Sequence, residues 1–191
     1  MQIKNARIET YVPSPNHGRM KEAPSLLVIH YTAGWSLANA VRTLTDPEHR
    51  ASAHLVIGRD GDWVQLVEFG CVAWHAGTSE WNGRDRVNDF SIGIELVNLG
   101  RVAKAPTYNG RYHVGKHLVP ASELVAREDG VWHRYTTAQL EVLVQLSRLI
   151  LREYPSITAI VGHSDVSPGR KIDPGPAFPM EWFQKEVMEC R

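Results

Sequence analysis

The chain has 191 residues, 43% of them hydrophobic and 22% charged, with 21 Lys and Arg against 21 Asp and Glu. This is the composition of one globular domain, and it argues against a disordered chain. Balanced charge gives no footing for nucleic acid or an anionic membrane, so the expected partner is neutral or zwitterionic, or is met by a local patch.

Two cysteines, Cys71 and Cys190, lie far apart and read as free thiols. No apolar run approaches the ~20 residues that span a bilayer. The N-terminal MQIKNARIETYVPSPNHGR lacks the apolar stretch of a secretory signal, so the expectation is a cytoplasmic protein without membrane insertion.

Residues 1–24 are polar and carry Pro13, Pro15 and Pro24, the pattern of an extended arm. SLLVIHY (25–31) is a short, unbroken apolar run, as in a strand buried on both faces. Ser36 is placed to cap a helix through Thr45, with Leu37, Ala40, Val41 and Leu44 on one side and Pro47 just beyond. AHLVIGRDGDWVQLVEF (53–69) predicts a hairpin turning at Asp60-Gly61. VAWHAG (72–77) reads as a short strand entering a loop, and SIGIELVN (91–98) as a second buried strand.

The rhythm breaks over 99–135, which reads as a long insertion with room for a small hairpin. TTAQLEVLVQLSRLILREY (136–154) returns to helical spacing, with Thr136 and Gln139 at capping-box distance. SITAIVG (156–162) predicts a last strand, and MEWFQKEVMEC (180–190) a closing helix. Strands interleaved with helices point to an α/β fold, a single domain with a central mixed β-sheet flanked by helices. The expected layout is an arm at 1–24 and a catalytic domain at 25–191, with the insertion at about 99–135.

Between the last strand and the last helix lies GHSDVSPGRKIDPG (162–175), whose glycines and prolines argue against a helix and for a loop of defined shape. It carries His163, Lys171 and Asp173. His163, like His30, sits where a predicted buried strand gives way to a loop, the place where functional groups collect in sheet folds. Two imidazoles and a carboxylate suit a catalytic zinc site with one position left for water. Ordinary packed histidines are the competing reading, since His30 and His163 are far apart in sequence. Glu95 interrupts an apolar strand, which is costly unless the carboxylate is paired, used, or turned to solvent. Lys171 is either a solvated loop residue or a cation held beside a metal.

Five blocks in order, SLLVIHYTAG, SAHLVIGRDG, AWHAG, NDFSIGIELVN and GHSDVSPGRKIDPGPAF, resemble the zinc-dependent N-acetylmuramoyl-L-alanine amidases of type 2, a superfamily shared with the peptidoglycan recognition proteins. The likeness spans roughly 25–98 and 155–178. It implies a type 2 amidase-like fold and one zinc ion held by His30, His163 and Asp173. Glu95 would be the catalytic carboxylate and Lys171 the cation beside the reacting carbonyl. Arg86 and Arg170 would hold substrate carboxylates, and Trp74 would line the groove near the sugar. With Asp173 as third ligand and Ala53 ahead of His54, the chain is closest to the cytosolic recycling branch and its bacterial and phage relatives.

The implied reaction is hydrolysis of the amide between N-acetylmuramic acid and L-alanine in peptidoglycan or its muropeptide fragments. One alternative is a non-catalytic peptidoglycan-binding module. Another is a lysin released to the cell wall, an endolysin, rather than a peptidoglycan recycling enzyme.

Overall fold

Every second residue of the two central apolar runs faces the same side of one sheet, and both sides are covered. This computed structural model describes residues 3–4, 6–8, 10–102, 111–114 and 117–189. Cys190 lies outside the described residues, and Cys71 is a free thiol.

The first elements are β1 (His17–Arg19), β2 (Leu26–Tyr31), α1 (Leu37–Thr45), β3 (Leu55–Ile57), β4 (Trp63–Gln65) and β5 (Cys71–Ala73). There follow β6 (Glu80–Trp81), β7 (Arg84–Asp85), β8 (Ser91–Leu96) and β9 (Arg101–Val102). Four short strands come next: β10 (Arg111–Val114), β11 (His117–Pro120), β12 (Leu124–Arg127) and β13 (Gly130–His133). The chain closes with α2 (Thr137–Glu153), β14 (Ala159–Gly162), α3 (His163–Val166) and α4 (Met180–Met188).

The central sheet has the order β14-β2-β8-β3-β4. Its first four strands are parallel, and β4 returns antiparallel through the expected hairpin. Leu27, Ile29, Ile92, Ile94, Leu55 and Ile57 join one buried cluster with Leu143, Leu146 and Ile150 of α2 and Phe183 of α4. Leu26, Val28 and Val161 face the other way, against Val87, Phe90 and Val166. The period of two therefore puts His30 and Glu95 on this second face, where they pair across β2 and β8.

Both predicted helix caps form. Ser36 Oγ accepts from the Asn39 amide, and Thr136 Oγ1 accepts from the Gln139 amide at 3.1 Å. The second half of the capping box does not form. The Gln139 side chain is buried, and its amide donates to the carbonyls of Ile57 and Val97, at 3.1 and 3.0 Å, where strands end against α2.

Three further segments go beyond or against expectation. The arm is extended, and it is paired. β1 pairs with β5, and Asn16 donates to the carbonyls of Asp46 and Ala51. The insertion holds more than one hairpin: β10 pairs with β11, and β12-β13-β9 form a three-stranded sheet. The loop at 162–175 begins with one helical turn, α3, because Asp165 Oδ2 accepts from the Gly162 amide at 2.7 Å and caps it.

His133 ties the insertion together and docks it on the loop before α1. Its Nδ1 accepts from the Leu99 amide, its Nε2 faces Glu123, and its ring stacks on Trp35. Next to it, Trp132 sits on Gly175, where a Cβ would come within 2.3 Å of the indole and φ is +74°.

Exchanging Gln139 for Leu withdraws a buried donor from two carbonyls at similar volume. The expected loss is about 1–3 kcal/mol in urea unfolding, with an unchanged denaturant slope.

Candidate active site

Parallel strands end at the same edge of a sheet, and three neighbours here deliver a titratable group to that edge. His30 is the penultimate residue of β2, Glu95 that of β8, and His163 follows directly on β14. Groups from distant parts of the chain meet there because the topology brings the carboxyl ends together. Asp173 arrives from the loop after α3, whose Ser164 amide donates to the Asp173 carbonyl at 2.9 Å.

Nδ1 of His30 lies 2.9 Å from Nδ1 of His163 and 3.1 Å from Oδ2 of Asp173. Nδ1 of His163 lies 2.9 Å from the same oxygen. All three residues are buried, and among the described residues they form a group able to hold a metal ion. The donor chemistry fits one. Nε2 of His163 is 3.1 Å from the Ala76 carbonyl, which can only accept, so that nitrogen carries the proton and Nδ1 offers a lone pair. A carboxylate and an imidazole lone pair, each aimed at the other, call for a cation between them. Tetrahedral ligands at about 2.0–2.1 Å from an ion lie about 3.3 Å apart, close to the spacing here.

Beside this point is a hollow of about 390 Å³ lined by Tyr31, Trp74, Glu95, Arg170, Lys171 and two of the donors, His163 and Asp173, with His30 buried behind them. The fold and the site invite comparison with known proteins. The family model for N-acetylmuramoyl-L-alanine amidase matches residues 20–176. The chain belongs to that family.

The 1,6-anhydro-N-acetylmuramyl-L-alanine amidase AmpD of Enterobacter cloacae is 38% identical over 198 residues, covering 93% of this chain and 88% of that protein. A selenomethionine derivative of AmpD shares the fold with a TM-score of 0.73 at 31% identity, covering 98% of this chain and 99% of the other. AmiD from E. coli was solved with the substrate anhydro-N-acetylmuramic acid-L-Ala-D-gamma-Glu-L-Lys. It matches with a TM-score of 0.65 at 30% identity over 94% of this chain and 61% of its own. The chain is thus an enzyme that hydrolyses the amide between N-acetylmuramic acid and L-alanine.

Within the amidase, Glu95 has an unusual environment. Its Oε2 is shielded from solvent and has no hydrogen-bond partner. Burial first, and Asp173 second, push its carboxyl up to about 8, with Lys171 pulling the other way. His30 moves oppositely, down to about 4, because burial disfavours its charged form more than Asp173 favours it.

The residues expected at the substrate fall into two places. Arg170 lines the metal hollow, and its Nη2 donates to the carbonyls of Ala76 and Thr78 at 2.6 and 2.7 Å. Arg86 lies in an adjoining hollow of about 380 Å³ and pairs with Asp89 at 2.8 Å. Trp74, 36% exposed, lines both hollows.

His54 stands apart from the donors. Its Nδ1 accepts from the Gly93 amide and its Nε2 donates to the Cys71 carbonyl, so the ring joins strand to strand. One residue that sequence reasoning left without a role, His75, has its Nδ1 3.0 Å from Nε2 of His30. The signal available was the break in SIGIEL, where Ser91, Gly93 and Glu95 alternate on the site face.

The raised carboxyl of Glu95 has a thermodynamic sign. Without metal, it titrates near 4.5 unfolded and about 8 folded, so stability is lost as pH rises through that window. In chelator, the melting temperature of Glu95→Gln should gain on that of the parent between pH 5 and pH 9. A difference that stays constant with pH would count against the raised carboxyl.

Proposed function

We propose that the enzyme is a zinc amidase acting on soluble 1,6-anhydro-muropeptides. One observation carries the reading: three donor atoms converge, and two of their residues, His163 and Asp173, line a single hollow with an unpartnered carboxylate and a lysine. His30, His163 and Asp173 would hold one zinc ion. The chemistry supplied by that ion is Lewis acidity, which polarises a carbonyl and makes water acidic near neutral pH.

Glu95 takes the proton of the attacking water and hands it to the departing L-alanine nitrogen. Its carboxyl, unpaired and near neutrality, suits a group that both accepts and releases. Lys171 sets its ammonium beside the oxyanion that forms on the lactyl carbonyl. No covalent bond to the protein is required, so Cys71 has no part in the step.

Trp74 offers an apolar ring to the sugar. Arg170 and Arg86 receive carboxylates of the stem peptide, Arg86 by exchanging Asp89 for the ligand. The soluble substrate is favoured by the AmpD relatives, matched over most of their length, and by the anhydro-muramyl ligand of AmiD. A cytoplasmic place of action goes with that substrate. Residues 25–191 act as the catalytic domain, with 1–24 as its arm.

The test is mass spectrometry of products from a soluble anhydro-muropeptide and from intact sacculi, each with zinc and with chelator. Free stem peptide should come from the soluble substrate, stop with chelator, and return with zinc. Glu95→Gln should lower kcat by about 10²–10⁴-fold and Lys171→Ala by about 10²–10³-fold. Equal release from sacculi would replace the recycling reading with that of a wall-cutting lysin. Parent-like turnover by Glu95→Gln would remove Glu95 from the mechanism.

A further inference from the structure

The second nitrogen of His30 faces neither a carboxylate nor a carbonyl. Its Nε2 lies 3.0 Å from Nδ1 of His75. Nε2 of His75 lies 3.1 Å from Ser91 Oγ, and that hydroxyl donates to the Val87 carbonyl at 2.6 Å. All three side chains in this row are buried.

The direction of every proton follows from the far end. A carbonyl only accepts, so Ser91 gives its single proton to Val87. Ser91 Oγ then accepts from His75, which places the His75 proton on Nε2. The ring partners of His75 are His30 and Ser91, neither of them anionic. A neutral imidazole has one N–H, so Nδ1 of His75 is an acceptor and Nε2 of His30 must donate to it. Nδ1 of His30 is left with a lone pair, facing His163 and Asp173.

We propose that His75 is the positioning residue that sets the tautomer and ring angle of His30, so that Nδ1 is presented to the metal. The proposal rests on the reading of His30, His163 and Asp173 as the metal centre.

Independent support comes from the floor beneath the ring. Gly93 lies inside β8, where glycine weakens a strand and usually marks a close approach. A Cβ there would stand 2.4 Å from Cγ of His75. The amides of His75 and Ala76 both donate to Asn88 Oδ1, at 3.2 and 2.7 Å, which fixes the backbone that carries the ring. The imidazole is thus held by a bare strand on one side and by a hydrogen bond at each nitrogen.

The choice of group has a chemical consequence. A carboxylate behind His30 would orient it equally well, but would add a buried negative charge beside Asp173 and Glu95. A neutral imidazole orients the ligand and leaves Asp173 as the one anion among the donors. More of the ion's charge then remains for the substrate carbonyl.

The experiment uses His75→Phe, which keeps the ring and removes both nitrogens, and His75→Asn, which can return an acceptor near the Nδ1 position. Zinc affinity is measured by chelator competition, and the visible absorption of the cobalt-substituted protein reports ligand geometry. Melting of the metal-stripped proteins checks that each is folded. The expected result is about 10–100-fold weaker zinc binding and an altered cobalt spectrum for Phe, with Asn recovering most of both.

Gly93→Ala, which displaces the ring and leaves its nitrogens intact, should resemble Phe. Should Phe not fold, Ser91→Ala carries the test, with about tenfold weaker zinc binding expected. Parent-like affinity and spectrum in a folded His75→Phe, or in Ser91→Ala if Phe does not fold, would overturn the proposal. A parent protein that itself takes up no zinc would instead overturn the metal centre on which it stands.

Discussion

Nδ1 of His30, Nδ1 of His163 and Oδ2 of Asp173 crowd within 3.1 Å of one another. Much of the surrounding structure keeps protons off the faces they share. The Ala76 carbonyl fixes the proton of His163 on the outer nitrogen, and the row through His75 and Ser91 does the same for His30. At His30 burial reinforces this, because a neutral imidazole is the form that a dry environment favours. The result is a concentration of electron density that only a cation relieves. That is a more demanding condition than three ligating residue types in proximity, and it is met by main-chain and second-row groups as much as by the donors.

The same burial acts on Glu95 with the opposite sense. Where it favours neutral imidazoles for holding a metal, it favours a protonated carboxyl for moving a proton. Lys171 counters that preference, and a cation held by the donors would counter it further, so the state of Glu95 would depend on what occupies the hollow. One desolvated edge of a sheet thus produces donors that stay unprotonated and a carboxyl poised to change.

Much of this was legible in the chain. The unbroken apolar runs around His30 and Glu95 required strands buried on both faces; that the two residues share a side needed the register of β2 on β8. Ser36 and Thr136 announced their helices through local hydrogen bonding alone. What escaped was long-range or compensated. β1 pairs with β5 through a contact no local pattern encodes, and the short strands of the insertion carry too little alternation to stand out. α3 forms against its glycines and prolines because a single carboxylate, Asp165, caps it. His75 was invisible as a functional group because a lone histidine in a loop has many ordinary uses. Its meaning comes from Ser91 and Gly93, two small residues that look like weaknesses in a strand until the ring packed on them is seen.

The parallel order β14-β2-β8 has a consequence for how the site comes into being during synthesis. His30 and its supporting row, His75 and Ser91, are synthesised before His163 and Asp173. A nascent chain ending before residue 160 carries one of the three donors and none of their shared geometry. If the three residues hold a metal as proposed, its capture waits until β14 has inserted beside β2. On the proposed reading, an ion would lock a sheet already closed rather than template a partial one, and a chain truncated before β14 would have no centre to load.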